Sequence, residues 1–87
     1  MRDMAQTRMR VDEVWGWKIY LGDTYAIVVS PRGRWRFVIA RNEHIILPPF
    51  VPIEVVDMLQ FYGFKGVKRR CRKREEGWKE VFPNVCA

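Results

Sequence analysis

The sequence predicts a small α+β protein, and three patterns in its 87 residues lead to that class. Strand-like segments, separated by short turns, fill residues 11–47. One segment with helical spacing follows at 52–63, and a hairpin-like segment comes after it. We therefore expect an antiparallel β-meander of about four strands, one helix over about 53–62 and a C-terminal β-hairpin. These elements form one predicted domain over 11–87, preceded by a flexible basic arm over 1–10.

The first half of the predicted meander has the clearest alternation. VWGWKIYL (14–21) reads as one strand with its larger apolar side chains on one face, namely Trp15, Trp17, Ile19 and Leu21. Gly22 and Asp23 predict the turn that ends it. TYAIVVS (24–30) is rich in β-branched and aromatic residues, which is typical of a buried central strand.

The second half begins after PRG (31–33), a turn sequence in which proline fixes its own φ and glycine tolerates a positive φ. In RWRFVIAR (34–41), Arg34 and Arg36 lie on the face opposite the large apolar residues Trp35, Phe37 and Ile39. HIIL (44–47) is the fourth predicted strand, and the two following prolines end it because proline cannot donate to a ladder. The connections have two or three residues, which favours antiparallel neighbours.

The predicted helix is PIEVVDMLQFYG (52–63). Pro52 suits the first turn, and Glu54 lies near the positive end of the helix dipole. An apolar stripe at spacings of three and four residues comprises Val55, Val56, Leu59 and Tyr62. Gly63 fits the position that caps a helix C-terminus, with Phe64 in place for the accompanying apolar contact.

The last segment has two interpretations. As a hairpin, GVKRRCRKR (66–74) pairs with WKEVF (78–82) around a turn that contains Gly77. As a basic helix, the same residues place Val67, Cys71, Arg74, Trp78 and Val81 on one stripe. Gly66 and Gly77 would each cost a helix about 1 kcal/mol relative to alanine. The hairpin is therefore favoured.

The charge of the chain is concentrated in residues 65–74, here called the basic segment. Seven cations and no acid lie in these ten residues, whereas the other 77 residues hold nine basic and ten acidic side chains. The cations are Lys65, Lys68, Arg69, Arg70, Arg72, Lys73 and Arg74. Such a concentration produces a local field that attracts polyanions.

The basic segment predicts a small non-enzymatic nucleic-acid-binding protein with little sequence specificity. Phosphate binding requires several cations along one line, and alternate residues of a strand project from one face at intervals of about 6.6 Å. Arg34 and Arg36 are predicted secondary contacts. The competing interpretation is an ordinary solvated surface, partly balanced by Glu75, Glu76 and Glu80. The alternative function is a protein-interaction module, either a homodimer or a binder of an acidic protein, and it includes regulation of a partner enzyme.

No pattern in the sequence predicts catalysis, a cofactor or a bound metal. His44 is the single histidine, and neither a phosphate-cradling glycine loop nor a nucleophile elbow is present. Cys71 and Cys86 match no zinc spacing and are expected to be free thiols, with one structural disulfide as the alternative. The sequence shows neither a signal peptide nor an apolar run of membrane-spanning length, which predicts an intracellular protein, cytoplasmic or nucleoid-associated.

Overall fold

A computed structural model describes residues 9–71 and Val85 of this chain. These residues form six β-strands and one helix, in the order β1 (Arg10–Val14), β2 (Trp17–Leu21), β3 (Tyr25–Val29), β4 (Arg36–Ala40), β5 (Ile45–Leu47), α1 (Ile53–Phe61) and β6 (Val67–Arg69). This is the predicted α+β class.

The chain divides into two compact units, Met1–Arg41 and Asn42–Ala87, here called the N-terminal and C-terminal units. This division leaves the single domain over 11–87 a prediction. Most of the predicted basic arm (1–10) lies outside the described residues. Its last residue, Arg10, begins β1 and is therefore part of the sheet.

The N-terminal unit contains an antiparallel sheet in the order β1-β2-β3-β4, which confirms the four-stranded meander. Alternate residues of the three strands β2 to β4 point into its core, because successive side chains of a strand face opposite ways. The buried apolar residues of these strands are Trp17, Ile19, Leu21, Ala26, Val28 and Ile39. The alternation in the sequence predicted one shared face for Trp17, Ile19 and Leu21, and that face is the inward one.

The prediction of one continuous strand over 14–21 is wrong. Trp15 and Gly16 form a two-residue turn between β1 and β2, and their φ angles are 52° and 83°. Positive φ at both positions is the geometry of a type I′ hairpin turn, which matches the twist of the strands it joins. The turn leaves the Trp15 side chain 74% exposed instead of on the apolar face with Trp17.

The C-terminal unit is a β-α-β arrangement. Strands β5 and β6 pair in parallel, with Ile46 opposite Lys68, and α1 connects them. HIIL (44–47) is therefore not a strand of the meander. The meander has four strands because β1, which precedes the predicted first strand, belongs to it. Parallel neighbours need a crossover connection, and the helix supplies it.

Helix α1 confirms the predicted position, and its C-terminus is closed by a Schellman motif. The Phe64 amide donates to the Leu59 carbonyl at 2.9 Å, and the Gly63 amide donates to the Gln60 carbonyl at 3.1 Å. Gly63 has a φ of 103°. This pattern satisfies carbonyls that the helix end would leave without a donor, and it carries Phe64 into the core, where it is fully buried.

The predicted C-terminal hairpin is described only in its first part. Residues 67–69 form a strand, as the hairpin requires and the basic helix does not, but β5 is the strand with which they pair. The second limb, 78–82, lies outside the described residues.

The expectation of free thiols is wrong, because Cys71 is disulfide-bonded. Cys86 is the only other cysteine of the chain and hence the only available partner within it. The spacing of two cysteines in a sequence carries no information on whether the fold brings them together, so the pattern could not decide between the two states.

Candidate nucleic-acid interface

The basic segment does not present all of its cations to solvent. Lys65 and Arg70 are exposed, Lys68 is half-buried and Arg69 is buried. The remaining three predicted contacts, Arg72, Lys73 and Arg74, lie outside the described residues. The described part of the segment therefore offers fewer phosphate contacts than its composition indicates.

Arg69 corrects one predicted contact. Its side chain is only 3% exposed, and its Nη1 donates to the Val51 carbonyl at 2.8 Å. Its Nη2 donates to the Cys71 sulfur at 3.6 Å. Val67 and Arg69 face the interior of the C-terminal unit, whereas Lys68 between them does not. A guanidinium held inside in this way is not available to a phosphate, and we leave Arg69 out of the candidate interface.

Of the two secondary contacts, Arg34 lies in a compact loop at one end of the N-terminal sheet, and Arg36 begins β4 directly after that loop. Arg34 and Arg36 are both exposed, and Arg32 of the same loop is exposed as well. The loop is closed by hydrogen bonds: the Ser30 amide donates to the Trp35 carbonyl at 2.9 Å, and the Trp35 amide donates to Ser30 Oγ at 2.9 Å. The arginines therefore project from a backbone whose conformation is fixed by local hydrogen bonds.

The Trp15–Gly16 turn lies beside this loop. The register that pairs Lys18 with Val29 continues toward Gly16 and Pro31, and a Cβ built on Gly16 would come within 3.2 Å of two Pro31 side-chain carbons. The β1–β2 turn and the β3–β4 loop are thus in close contact. Together they form one end of the sheet, here called the basic end, whose side chains are Trp15, Lys18, Arg32, Arg34, Trp35 and Arg36.

The close approach at Gly16 yields a first prediction. Gly16→Ala should lower the free energy of unfolding by about 1–2 kcal/mol, because a side chain at positive φ is strained and the new methyl meets Pro31. Urea denaturation measures this change. Gly33→Ala is the matched control, since Gly33 has a φ of 73° but a Cβ there meets nothing within 4 Å. Equal losses in the two variants would contradict a contribution from the Pro31 contact.

The charges of the basic end are nearly all positive. Lys18 and Arg36 lie on the same face in register with Val29, which places their Cα atoms two strand spacings, or about 10 Å, apart. Glu13, opposite Lys18, is the one acid in these rows. Across residues 9–71, no ion pair involves Lys18, Arg32, Arg34 or Arg36.

Cations at the opposite end of the sheet are used differently. Arg10 Nε lies 3.1 Å from the Asp12 carboxylate. Arg41 donates from Nε to the Asp23 carbonyl and from Nη2 to the Gly22 carbonyl at 3.3 Å, which ties β4 to the β2–β3 turn. Arg10 and Arg41 therefore have partners within the protein. The two ends of the sheet thus differ in how much of their positive charge is available to a ligand.

An open groove runs along the outer face of the sheet next to Arg36. Its lining comprises Met9, Tyr20, Ile27, Val29 and Arg36. Tyr20 and Ile27 are directly opposite each other on neighbouring strands. The groove therefore combines an apolar floor with a cation at its rim.

Sequence reasoning placed Trp35 on the apolar face and did not include Arg32 or Trp15 among the contacts. The signal for the site was present in SPRGRWR (30–36), where three arginines and a tryptophan crowd a turn sequence. Its charge density is lower than that of residues 65–74, and burial, which decides availability, is not visible in a charge count.

No protein-family model, no curated protein and no solved structure matches this chain. In the part of the chain that the structure describes, no group of three or more histidine, cysteine or acidic side chains is arranged to hold a metal ion. No helix among those residues has the length and apolarity needed to cross a membrane.

Proposed function

We propose that this chain is a small nucleic-acid-binding protein without enzymatic activity, and that the basic end of its N-terminal sheet contacts phosphates. The observation that carries the proposal is the set of four exposed cations, Lys18, Arg32, Arg34 and Arg36, on two adjoining loops and strand ends. Arginine suits this role because its planar fork matches phosphate oxygens. Contacts to phosphate position a protein without reading bases, so we expect little sequence preference.

The basic segment is a second proposed phosphate-binding surface, now without Arg69. Lys65, Lys68 and Arg70 are its described members, and Arg72, Lys73 and Arg74 complete it in the sequence. An intracellular location, cytoplasmic or at a nucleoid, belongs to the same proposal. The Cys71 disulfide restricts the organisms for which an intracellular location is proposed. Structural disulfides are rare inside cells, and hyperthermophilic organisms are the main exception.

Salt dependence tests the function. If four cations each neutralise one phosphate, log K for a labelled single strand should fall against log salt with a slope of about −3. Fluorescence anisotropy at several salt concentrations measures that slope. A response that is flat in salt would refute phosphate binding by the chain.

A pair of double variants locates the surface. R34Q/R36Q should reduce the magnitude of the slope by about 1.4, since two of the proposed contacts are lost. K65Q/R70Q removes the same charge from exposed positions of the C-terminal unit and should have a smaller effect. The basic end is the wrong primary surface if K65Q/R70Q weakens binding as much as R34Q/R36Q does.

The second candidate function is homo-oligomeric assembly through a sheet edge. It is favoured by Val11 and Val38, which lie on the two edge strands and are more than half exposed. Edge strands with apolar side chains are sites of strand pairing between copies. Light scattering at low and high salt separates the candidates, because an apolar dimer persists when salt rises and a nucleic-acid complex does not.

A further inference from the structure

Two tryptophans at the basic end are unusually exposed. Trp15 is 74% exposed and Trp35 is 49% exposed, whereas Trp17, two residues from Trp15, is buried. Tryptophan has the largest apolar side chain and is highly buried on average in folded proteins. Two exposed indoles on adjoining loops are therefore a feature that calls for a ligand.

The backbones that carry the two indoles are held by local contacts. Trp35 is fixed to Ser30 by two hydrogen bonds of 2.9 Å, and Ser30 is itself buried. Trp15 occupies a two-residue turn whose Gly16 is in contact with Pro31. Both rings are thus presented from preorganised positions, and a ligand would not have to order these loops on binding.

The charge around the rings selects the class of ligand. Trp35 lies between Arg34 and Arg36 in the sequence, and Lys18 is the second residue of β2, the strand that follows the Trp15 turn. An apolar ligand would gain nothing from these cations, and a simple anion would gain nothing from the rings. A ligand that fits both carries flat apolar rings and negative charges along one chain, which describes nucleic acid.

Only an unpaired strand offers its bases to such a site. In a duplex, each base is stacked between its neighbours and its faces are covered, whereas the bases of a single strand can be splayed out onto aromatic side chains. Base–aromatic stacking tolerates any sequence because every base has a π-face. A groove with the half-buried Tyr20 and the apolar Ile27 in its lining lies on the outer face of the same sheet, and Arg36 of the basic end is part of that lining.

We infer that the basic end binds single-stranded nucleic acid, with Trp15 and Trp35 stacking on unpaired bases while the neighbouring cations contact the phosphates. This inference rests on the proposed nucleic-acid-binding function and deepens it, because it states which form of nucleic acid is bound. It also assigns separate roles to rings and charges, so the two can be tested separately.

The test uses the full chain with a labelled single strand and a duplex of the same length at one salt concentration. W15A and W35A should each weaken single-strand binding by roughly 5- to 150-fold, the range found for one stacked base. W35F should recover most of the lost affinity because it keeps an aromatic face. Duplex binding should change less than 2-fold in all three variants.

Phe61→Ala provides the matched control. Phe61 is 80% exposed and belongs to the C-terminal unit, so its truncation removes an exposed ring that is not one of the side chains of the basic end. F61A should bind the single strand as the unchanged protein does. Circular dichroism and thermal unfolding confirm that each variant is folded, which is expected because neither indole is buried.

The failure of this inference differs from failure of the proposed function. Unchanged single-strand affinity in both W15A and W35A, together with weakened binding by R34Q/R36Q, would overturn the stacking and leave phosphate binding intact. A wild-type preference for duplex over single strand would overturn the inference in the same way. Absence of binding to either form would overturn the function itself.

Discussion

Removal of the Cys71 disulfide is expected to lower the free energy of unfolding by about 3 kcal/mol, the value of the chain-entropy model for a loop of about 15 residues. Cys71 lies two residues after β6, and its only possible partner within the chain is Cys86. The bond therefore constrains the chain just after the strand that ends the β-α-β arrangement. Such a constraint chiefly limits the unfolded state, so its loss favours unfolding.

A second contact next to this bond supports a large effect. The Arg69 amide donates to the Val85 carbonyl at 2.7 Å, and Val85 is almost completely buried. This hydrogen bond and the burial of Val85 also hold that part of the chain to β6, and the disulfide reinforces them. For an 87-residue protein, a loss of about 3 kcal/mol is a large part of the usual total stability.

Urea denaturation of C71S, C86S and C71S/C86S measures the effect. All three variants should show the same loss, because removal of either cysteine breaks the same bond and the second change then has nothing further to break. The unchanged protein with a reducing agent should behave as the double variant does. An unfolding midpoint that reduction leaves unaltered would contradict a stabilising role for the bond.

Local periodicity was enough to predict much of the fold. In β2, alternation of side chains was sufficient to place Ile19 and Leu21 on one apolar face, because a strand in a one-sided sheet buries every second residue. In β3, the β-branched and aromatic content predicted a buried strand, and Val28 is fully buried. In α1, the apolar spacing and Gly63 located both the helix and its end. These features depend on residues close together in the chain, and the sequence displays them directly.

The remaining features of the fold depend on residues far apart or on a rare local conformation. Parallel pairing of β5 with β6 joins residues more than 20 positions apart, and no pattern within HIIL (44–47) indicates that partner. The Trp15–Gly16 turn was missed because tryptophan seldom adopts the positive φ that the first turn position requires. An alternating pattern that continued through the turn concealed it.

The candidate site was predicted in part, for a related reason. Charge density drew attention to residues 65–74, and Arg34 and Arg36 were included only as secondary contacts. The structure reverses their order among the described residues, because Arg69 is buried while Arg34 and Arg36 are exposed beside two exposed indoles. Availability to a ligand is decided by burial and by hydrogen-bond partners, neither of which a count of charges contains.

Arg69 gives the second large prediction, since replacement by alanine should lower the free energy of unfolding by about 2–4 kcal/mol. Truncation leaves the Val51 carbonyl without the guanidinium that now donates to it at 2.8 Å, and a buried acceptor without a donor costs about 1–3 kcal/mol. The side chain also packs inside the C-terminal unit, so its removal leaves a cavity with a further cost. Urea denaturation measures the sum.

Arg70→Ala is the matched control, because Arg70 is the adjacent residue, carries the same charge and is exposed. Its effect on stability should stay within about 0.5 kcal/mol, as for most surface substitutions. Arg70 is a proposed phosphate contact, so R70A should reduce the salt slope of binding, whereas R69A, measured where it is folded, should leave the slope near that of the unchanged protein. The opposite result, with R69A stable and its slope reduced by about 1, would return Arg69 to the phosphate-binding surface and contradict its structural role.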